Sequence, residues 1–190
     1  MAYLPEEELK SLGFRSIGRG VRVSERAAIY NHDQIDLGDH CRIDDFCVVS
    51  GRVRLGRNVH LAVFTNIAGG VEGVTFEDFA GTAYGCHVFS QSDDYSGASL
   101  TNPTTPAAFK TETRAAILIG RHAIIGTNSL VLPGVTIAEG TAIGAMSVVS
   151  QSTEPWSIYM GSPARKFRER RRDCLELERA YLEAEARGEY

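Results

Sequence analysis

The chain of 190 residues has few aromatic residues, which make up 8% of it, and no long apolar run. No stretch approaches the roughly 18 apolar residues that a membrane span needs, so we expect no membrane insertion. The first residues, MAYLPEEELKSLGF, are acidic and lack the apolar centre of a signal peptide. The formal net charge of -4 argues against a nucleic-acid-binding protein. By length the chain is one domain, large enough to bury a core.

A six-residue repeat is the main pattern that the chain does have. Each hexad opens with an aliphatic residue and has a small residue four positions later. Eighteen hexads run from Ile17 to Glu154, and only Thr82 and Asp33 depart from the pattern. This period predicts a β-helix, because each coil buries its face only against its neighbours. Three hexads make one triangular turn, so we predict an all-β solenoid of about six coils.

Three of the four cysteines occupy the small interior position of their hexads: Cys41, Cys47 and Cys86. A thiol at this position packs as a small hydrophobe. No C-x-x-C pair is present, so we expect neither a disulfide nor a metal site. Free thiols favour a reducing, cytoplasmic setting.

The organisation along the chain has three parts. Pro5 followed by three glutamates predicts a short helix before Gly13. Ser162 and Pro163 predict the N-cap and first residue of a second helix. The parts are an N-terminal helical cap (1–16), the β-helix (17–160, interrupted by a loop at 94–118) and a C-terminal helix (161–190). Offsets of the repeat at 35–36 and 73–75 predict small bulges at corners.

The register of the repeat also sorts the histidines. His32, His40 and His122 fall at the fourth hexad position together with Asn58 and Asn128, which is typical of corner turns. His60 and His87 come last in their hexads and should point outward. An outward histidine could be a general base or could make a hydrogen bond at a subunit interface.

Two further segments carry a resemblance to a known family. The run IGRHAIIGTNSLVLPGVTIAEGTAIGAMSVV (119–149) and the ending GSPAR (161–165) resemble the hexapeptide-repeat acyltransferases, in the sugar acetyltransferase branch. EEELKSLGF and the loop SDDYSG…TNPTTP are similar to O-antigen and capsule sugar acetyltransferases, including acyltransferases of nucleotide-linked 4-amino-4,6-dideoxyhexoses. The resemblance implies a left-handed parallel β-helix, acetyl-CoA as the acyl donor without a metal, and a homotrimer with sites between subunits.

The resemblance also implies where the site lies. Relatives have a catalytic histidine just before the long loop, and here Asp93 and Asp94 stand in its place. A neutral sugar amine attacks a thioester with less help than a hydroxyl, so a carboxylate could suffice as proton acceptor. The alternative is that both aspartates cap the loop as turn residues. His60 and His87 are the other candidate bases, and Tyr95 and Asn102 in the loop are candidate substrate contacts.

The coenzyme site is expected on the C-terminal coils. An oxyanion donor could be a backbone N–H near Gly126 or Gly144. The element beside coenzyme A corresponds here to Gly161, Ser162, Pro163, Ala164, Arg165 and Lys166. Arg165 and Lys166 could donate charge-assisted hydrogen bonds to its phosphates. The remaining arginines that follow are expected to lie on a solvated helix face.

We therefore expect an acetyl-CoA-dependent enzyme that acetylates the amine of a nucleotide-linked amino sugar for surface polysaccharide. O-acetylation of a saccharide hydroxyl is the alternative within the same family. A γ-class carbonic anhydrase would need three converging histidines on zinc, for which only His60, His87 and His122 are available. A non-catalytic trimer is the third alternative.

Overall fold

The computed structural model describes residues 2–189, most of which form a triangular prism of short parallel strands. Successive strands belong in turn to three sheets, so each coil contributes one strand to each sheet. The first sheet contains β1 (Ser16–Ile17), β4 (Ile35–Leu37), β7 (Val53–Leu55), β10 (Val74–Phe76), β15 (Ile117–Ile119) and β18 (Thr136–Ile137).

The other two sheets complete the prism. The second contains β2 (Arg22–Val23), β5 (Arg42–Ile43), β8 (His60–Leu61), β11 (Gly81–Thr82), β16 (Ile124–Ile125), β19 (Ala142–Ile143), β21 (Ser157–Met160) and β22 (Arg165–Glu169). The third contains β3 (Ala28–Ile29), β6 (Val48–Ser50), β9 (Asn66–Ala68), β12 (His87–Phe89), β17 (Leu130–Val131) and β20 (Val148–Val149). The predicted β-helix is confirmed, with about seven turns where six were expected, because β21 adds a seventh parallel strand to the second sheet.

The interior is filled by the two hexad positions that the repeat singled out. Ile125 and Ile137, which open hexads, are 0% exposed, and so is Cys47 at the small position. Burying one aliphatic side chain of this size contributes about 1.5–3 kcal/mol, repeated at every coil. Burial raises the pKa of Cys41 to about 12 and that of Cys47 to about 11, so both remain thiols.

The two exceptions to the repeat have separate structural reasons. Thr82 is buried like the aliphatic residues, and its hydroxyl bonds to the Thr65 hydroxyl at 2.8 Å, which satisfies both groups. Asp33 is exposed in a 3-10 turn (His32–Gln34), and Ile35 occupies the core instead. The second offset is a turn in which the Gly73 N–H donates to the Gly69 carbonyl at 2.8 Å. Both offsets are therefore corner turns.

The three corners of the prism differ, and we name them by what lies on them. The covered corner joins the first sheet to the second, the bare corner joins the second to the third, and the arm corner joins the third to the first. At the first two corners most turns contain a residue with a left-handed backbone. Apart from glycines, these residues are His40, Asn58, Phe79, His122 and Trp156 at the covered corner, and Phe46, Phe64, Asn128 and Met146 at the bare corner; all but Trp156 are the fourth residue of a hexad.

The C-terminal segment differs from the single helix predicted for 161–190. β21 and β22 pair antiparallel across a turn that contains a cis Ser162–Pro163 bond, so Ser162 and Pro163 do not begin a helix. The last coil leaves backbone groups unpaired at the edge of the second sheet, and this hairpin satisfies them. The helical part is α2 (Cys174–Ala186).

Helix α2 lies on the covered corner. The buried Glu178 carboxylate is 2.8 Å from His122 Nε2 and also pairs with Arg121. At the other end of the helix, Glu185 lies 2.7 Å from His40 Nε2 and accepts a 2.6 Å hydrogen bond from Arg57. The helix thereby ties successive coils of one corner together.

A short helix, α1 (Glu6–Ser11), lies at the other end of the solenoid, as the acidic N-terminal segment predicts. Leu9 is its one buried side chain and packs into the core. Neither α1 nor α2, in the part of the chain described, is long and apolar enough to cross a membrane.

Candidate active site

A two-stranded arm projects from the arm corner in the fourth coil. Strand β13 (Gln91–Asp93) pairs antiparallel with β14 (Glu112–Arg114), which places Asp93 opposite Glu112. A 3-10 turn at Ala107–Phe109 lies in the connection. The predicted loop at 94–118 therefore begins three residues earlier as a strand, and its last two residues already belong to β15. Both arm strands consist of polar residues, so no alternation of apolar and polar residues predicted them.

The two aspartates at the base of the arm have different roles. Asp94 accepts the backbone N–H of Ser96 at 2.8 Å and that of Ser99 at 3.0 Å. Hydrogen bonds from Ser96 and Ser99 lower the pKa of Asp94 to about 2. Asp94 is thus the turn-capping residue of the loop, the alternative that the sequence left open for it. Asp93 accepts one backbone N–H, from Asn102 at 3.2 Å.

Asp93 lines a cavity of about 340 Å³ between the arm and the third sheet. Opposite it, Glu112 is neutralised by Lys110 at 2.8 Å and by Arg114 at 2.6 Å. Asp93 has no ion pair within the described chain, so it is the acidic side chain of the cavity that no cation contacts directly. Tyr95 also contributes to the lining, although its side chain is 93% exposed. Asn102 contributes its backbone N–H to Asp93. Lys110 and Glu112, which were not among the predicted site residues, also line the cavity.

The two outward histidines lie on different walls. His87 on β12 is exposed, and its ring lies 5.6 Å from the ring of Phe89, which lines the Asp93 cavity. His60 is on β8 of the second sheet, where its Nε2 lies 2.8 Å from Asp44 Oδ2. Within one chain, His87 is therefore beside the cavity, whereas His60 belongs to another face.

Comparisons with known proteins agree with this architecture, although no family model matches the chain. Over 184 residues, 95% of each chain, it is 40% identical to a dTDP-4-amino-4,6-dideoxy-D-glucose acyltransferase of Escherichia coli. AntD, an N-acyltransferase from Bacillus cereus solved with dTDP and 3-hydroxybutyryl-CoA, matches with a TM-score of 0.95 at 41% identity, over 97% of this chain and 98% of its own. The chain belongs to the hexapeptide-repeat acyltransferases.

A more distant structure shares the fold alone. A maltose O-acetyltransferase from Clostridium difficile is 18% identical, with a TM-score of 0.57 over 87% of this chain and 75% of its own. The family has the left-handed β-helix that the resemblance implied.

The acyltransferase needs a donor to the developing oxyanion, and the two predicted glycines are already engaged. The Gly126 N–H donates to the Ile143 carbonyl at 2.8 Å, and the Gly144 N–H to the Tyr159 carbonyl at 2.7 Å. The next N–H groups, of Thr127 and Ala145, donate to no acceptor within residues 2–189. A donor near either glycine is therefore one residue further along the corner.

The predicted coenzyme segment of the acyltransferase is the turn between β21 and β22. The Gly161 N–H donates to Ser147 Oγ at 3.0 Å and the Ala164 N–H to the Val148 carbonyl at 2.8 Å. Arg165 is exposed, and one of its guanidinium nitrogens donates a hydrogen bond to the Ala164 carbonyl. Glu154 and Glu169 pair with Lys166 and raise its pKa. Arg165 is thus the more available of the two predicted phosphate donors.

The same geometry bears on the zinc alternative. His60 and His87 lie on different sheets, and His122 is buried against Glu178 at the covered corner. In the described part of the chain, no group of three or more histidine, cysteine, aspartate or glutamate side chains is placed to bind a metal ion.

Proposed function

We propose that the enzyme transfers an acyl group from acyl-CoA to the 4-amino group of a dTDP-linked 4-amino-4,6-dideoxyglucose. Two similar proteins support this acceptor, since the Escherichia coli relative is named for it and a variant of AntD was solved with it and coenzyme A. Identity to that variant is 42%, with a TM-score of 0.95 over 96% of this chain and 98% of its own.

The observation that carries the proposal is the Asp93 carboxylate in the arm cavity, which has no ion pair among the described residues. The protonated form of a sugar amine is an ammonium ion, which a carboxylate without an ion pair attracts and orients. A sugar hydroxyl offers no such charge. The pairing of Glu112 with Lys110 and Arg114 leaves Asp93 as the acidic group available to the amine.

The reaction then follows from the residues present. Asp93, directly or through a water, takes one proton from the ammonium ion, and the neutral nitrogen attacks the thioester carbon. An N–H at the bare corner, of Thr127 or Ala145, stabilises the oxyanion. The carbon–sulfur bond breaks, and the departing thiolate takes up the second proton that the nitrogen loses. Arg165 would bind a coenzyme phosphate, and His87 lies beside the acceptor as a second candidate base.

We infer that the enzyme works as a homotrimer. The bare corner exposes Phe46, Phe64 and Met146, which are 47%, 59% and 68% exposed. Apolar side chains in a row of this kind are typical of protein interfaces. A second copy would bury them and bring another wall of the solenoid against the arm. The free thiols favour a cytoplasmic enzyme.

The test is a panel of acceptors assayed with acetyl-CoA and 3-hydroxybutyryl-CoA, which also decides whether the predicted acetyl group is the preferred one. We expect dTDP-4-amino-4,6-dideoxyglucose to be acylated at least about a hundredfold faster than dTDP-glucose or a galactoside. Equal rates on the hydroxyl sugars would overturn the amine assignment in favour of O-acetylation.

A matched pair of variants tests the site. Asp93→Asn should lower kcat at least about a hundredfold, as loss of a general base does. Asp94→Asn keeps an oxygen acceptor for the turn and should change kcat by less than about threefold. Wild-type turnover by Asp93→Asn would refute the assignment of Asp93, and His87→Gln then becomes the decisive variant.

A further inference from the structure

One wall of the solenoid carries cations on three successive rungs. Arg22 on β2 lies in register with Arg42 on β5, and Arg42 with His60 on β8. The next rung is Gly81, which places no side chain beside His60. The outward residues of the third sheet are uncharged or histidine at every rung: Ala28, Val48, Asn66, His87, Leu130 and Val148. We call Arg22, Arg42 and His60 the basic wall.

The basic wall is held in place from behind by one buried carboxylate. Asp44, whose side chain is 4% exposed, accepts Arg42 Nε at 2.6 Å and contacts His60 Nε2 at 2.8 Å. Burial pushes the pKa of Asp44 upward, but hydrogen bonds from Arg42 and His60 outweigh it, and the pKa lies below its usual value. The ionised carboxylate orients the imidazole, so Nδ1 is the nitrogen of His60 left for a ligand.

Arg22 is the most available cation of the wall. Its guanidinium lies 5.6 Å from the centre of the Tyr3 ring, and Arg42 stacks on the same ring at 5.7 Å. Arg22 is exposed and has no carboxylate partner among residues 2–189. The nearby Asp45 carboxylate is already bound by Ser24 and lies 3.8 Å from Arg26. The aromatic platform fixes the direction of Arg22 while its N–H donors stay free.

We propose that the basic wall binds the diphosphate of the sugar-nucleotide acceptor. This inference rests on the proposed function and adds a binding surface to it. Neighbouring rungs are about 4.8 Å apart, so three rungs span roughly 10 Å, a length suited to a diphosphate and its first sugar oxygens. Two arginines match its negative charge with charge-assisted donors, and the oriented imidazole adds a donor in its protonated form.

Coenzyme A also carries phosphates, and its predicted segment belongs to the same sheet. Between β8 and β21 lie three strands, so the two places are separated by four rungs, about 19 Å. The two anionic ligands can therefore occupy opposite ends of one sheet, with their reactive groups between them. The wall and the arm lie on different parts of one chain, so an acceptor that touches both is shared between two copies.

The experiment measures binding of dTDP and of CoA to the full-length enzyme by titration calorimetry. Arg22→Gln should weaken dTDP binding by at least about tenfold, since a charged hydrogen bond to phosphate is lost. His60→Gln retains a donor to Asp44 and should weaken dTDP by about three- to tenfold. The control is Arg54→Gln, an exposed arginine on the first sheet. It should stay within about twofold, and CoA affinity should change in none of the three.

The outcomes separate this inference from the proposed function. Unchanged dTDP affinity in Arg22→Gln, with acyl transfer to the amino sugar intact, would overturn the basic wall alone. Loss of CoA affinity would assign the wall to the coenzyme and equally overturn it. A wild-type enzyme without dTDP affinity would overturn both. In steady-state assays, His60→Gln should raise the KM for the sugar nucleotide at constant kcat, and a large fall in kcat at constant KM would make His60 a base instead.

Discussion

The covered and bare corners are built from the same hexad position, yet only one of them is buried by its own chain. At both, bulky residues adopt the left-handed backbone, which costs about 1–2 kcal/mol for each residue other than glycine. At the covered corner Trp156 is 5% exposed beneath the C-terminal segment, and Phe79 packs against Tyr181. At the bare corner Phe46 and Phe64 stack at 5.2 Å, and both stay about half exposed although the Arg26 guanidinium lies 5.9 Å from the centre of the Phe46 ring.

The difference shows how a repeat that is uniform inside acquires distinct outer surfaces. Asn58 and Asn128 show that a small polar residue suits the corner conformation. Phenylalanine at the same position therefore serves packing outside the coil. At the covered corner the packing partner is α2. At the bare corner we assign it to a second subunit.

The largest expected effect comes from removing the buried contact between helix α2 and the covered corner. Glu178→Ala would leave Arg121 and His122 without their buried carboxylate, and removing one partner of a buried pair costs about 3–5 kcal/mol. Urea unfolding at fixed protein concentration should show this loss. Glu183→Ala, on an exposed position of the same helix, should cost less than about 0.5 kcal/mol. Equal midpoints for the two variants would mean that α2 does not stabilise the solenoid.

A second pair of variants contrasts the corners directly. Phe64→Asn keeps a residue that tolerates the left-handed backbone, and should weaken subunit association by about 2 kcal/mol, roughly thirtyfold, as interface anchors do. Phe79→Asn should lower unfolding stability while leaving association unchanged. Analytical ultracentrifugation of both variants over a concentration series checks this. Dissociation by Phe79→Asn, or an intact trimer with Phe64→Asn, would reverse the assignment of the corners.

The smallest expected effect is a weaker docking of helix α2 at low pH. The pKa of Glu185 is lowered, chiefly by the hydrogen bond from Arg57, so its carboxylate favours the docked helix. That contribution is complete above the unfolded pKa of about 4.3 and is lost as the pH falls through the lower folded value. The protection of amides at the C-terminal end of α2, taken relative to intrinsic exchange at each pH, should therefore fall below about pH 4. Glu185→Gln should show low protection at all pH values, and a wild type whose protection does not change with pH would contradict the prediction.

The sequence predicted the parts of the molecule that repeat. The same position of every hexad points into the core, so Cys41, Cys47 and Cys86 could be placed there. The corner conformation of His40 and His122 follows from the same register. The sequence also located the interruption that became the arm. It did not predict that Ser162 and Pro163 lie in a hairpin. That hairpin forms because the last coil leaves unpaired backbone groups at its edge, and a local sequence pattern does not show them.

The candidate site could be predicted only in part, because it depends on contacts between distant segments. Asp93 and Asp94 are adjacent and chemically identical in sequence. Only the folded loop shows that Ser96 and Ser99 engage one of them. The position of Asp93 opposite Glu112 and the Asp44–His60 contact likewise bring together residues that are far apart in the sequence. The candidate oxyanion donors are backbone N–H groups, which nearly every residue has, so the sequence does not identify them.

The strand that ends the second sheet has a consequence for the molecule in solution. A stack of identical parallel rungs could add rungs from other molecules and grow into a fibre. Strand β22 runs antiparallel to its neighbour, and all five of its residues are exposed, including Arg165, Lys166, Arg168 and Glu169. A charged strand of reversed direction offers a poor template for further pairing. The solenoid therefore stays at a finite length.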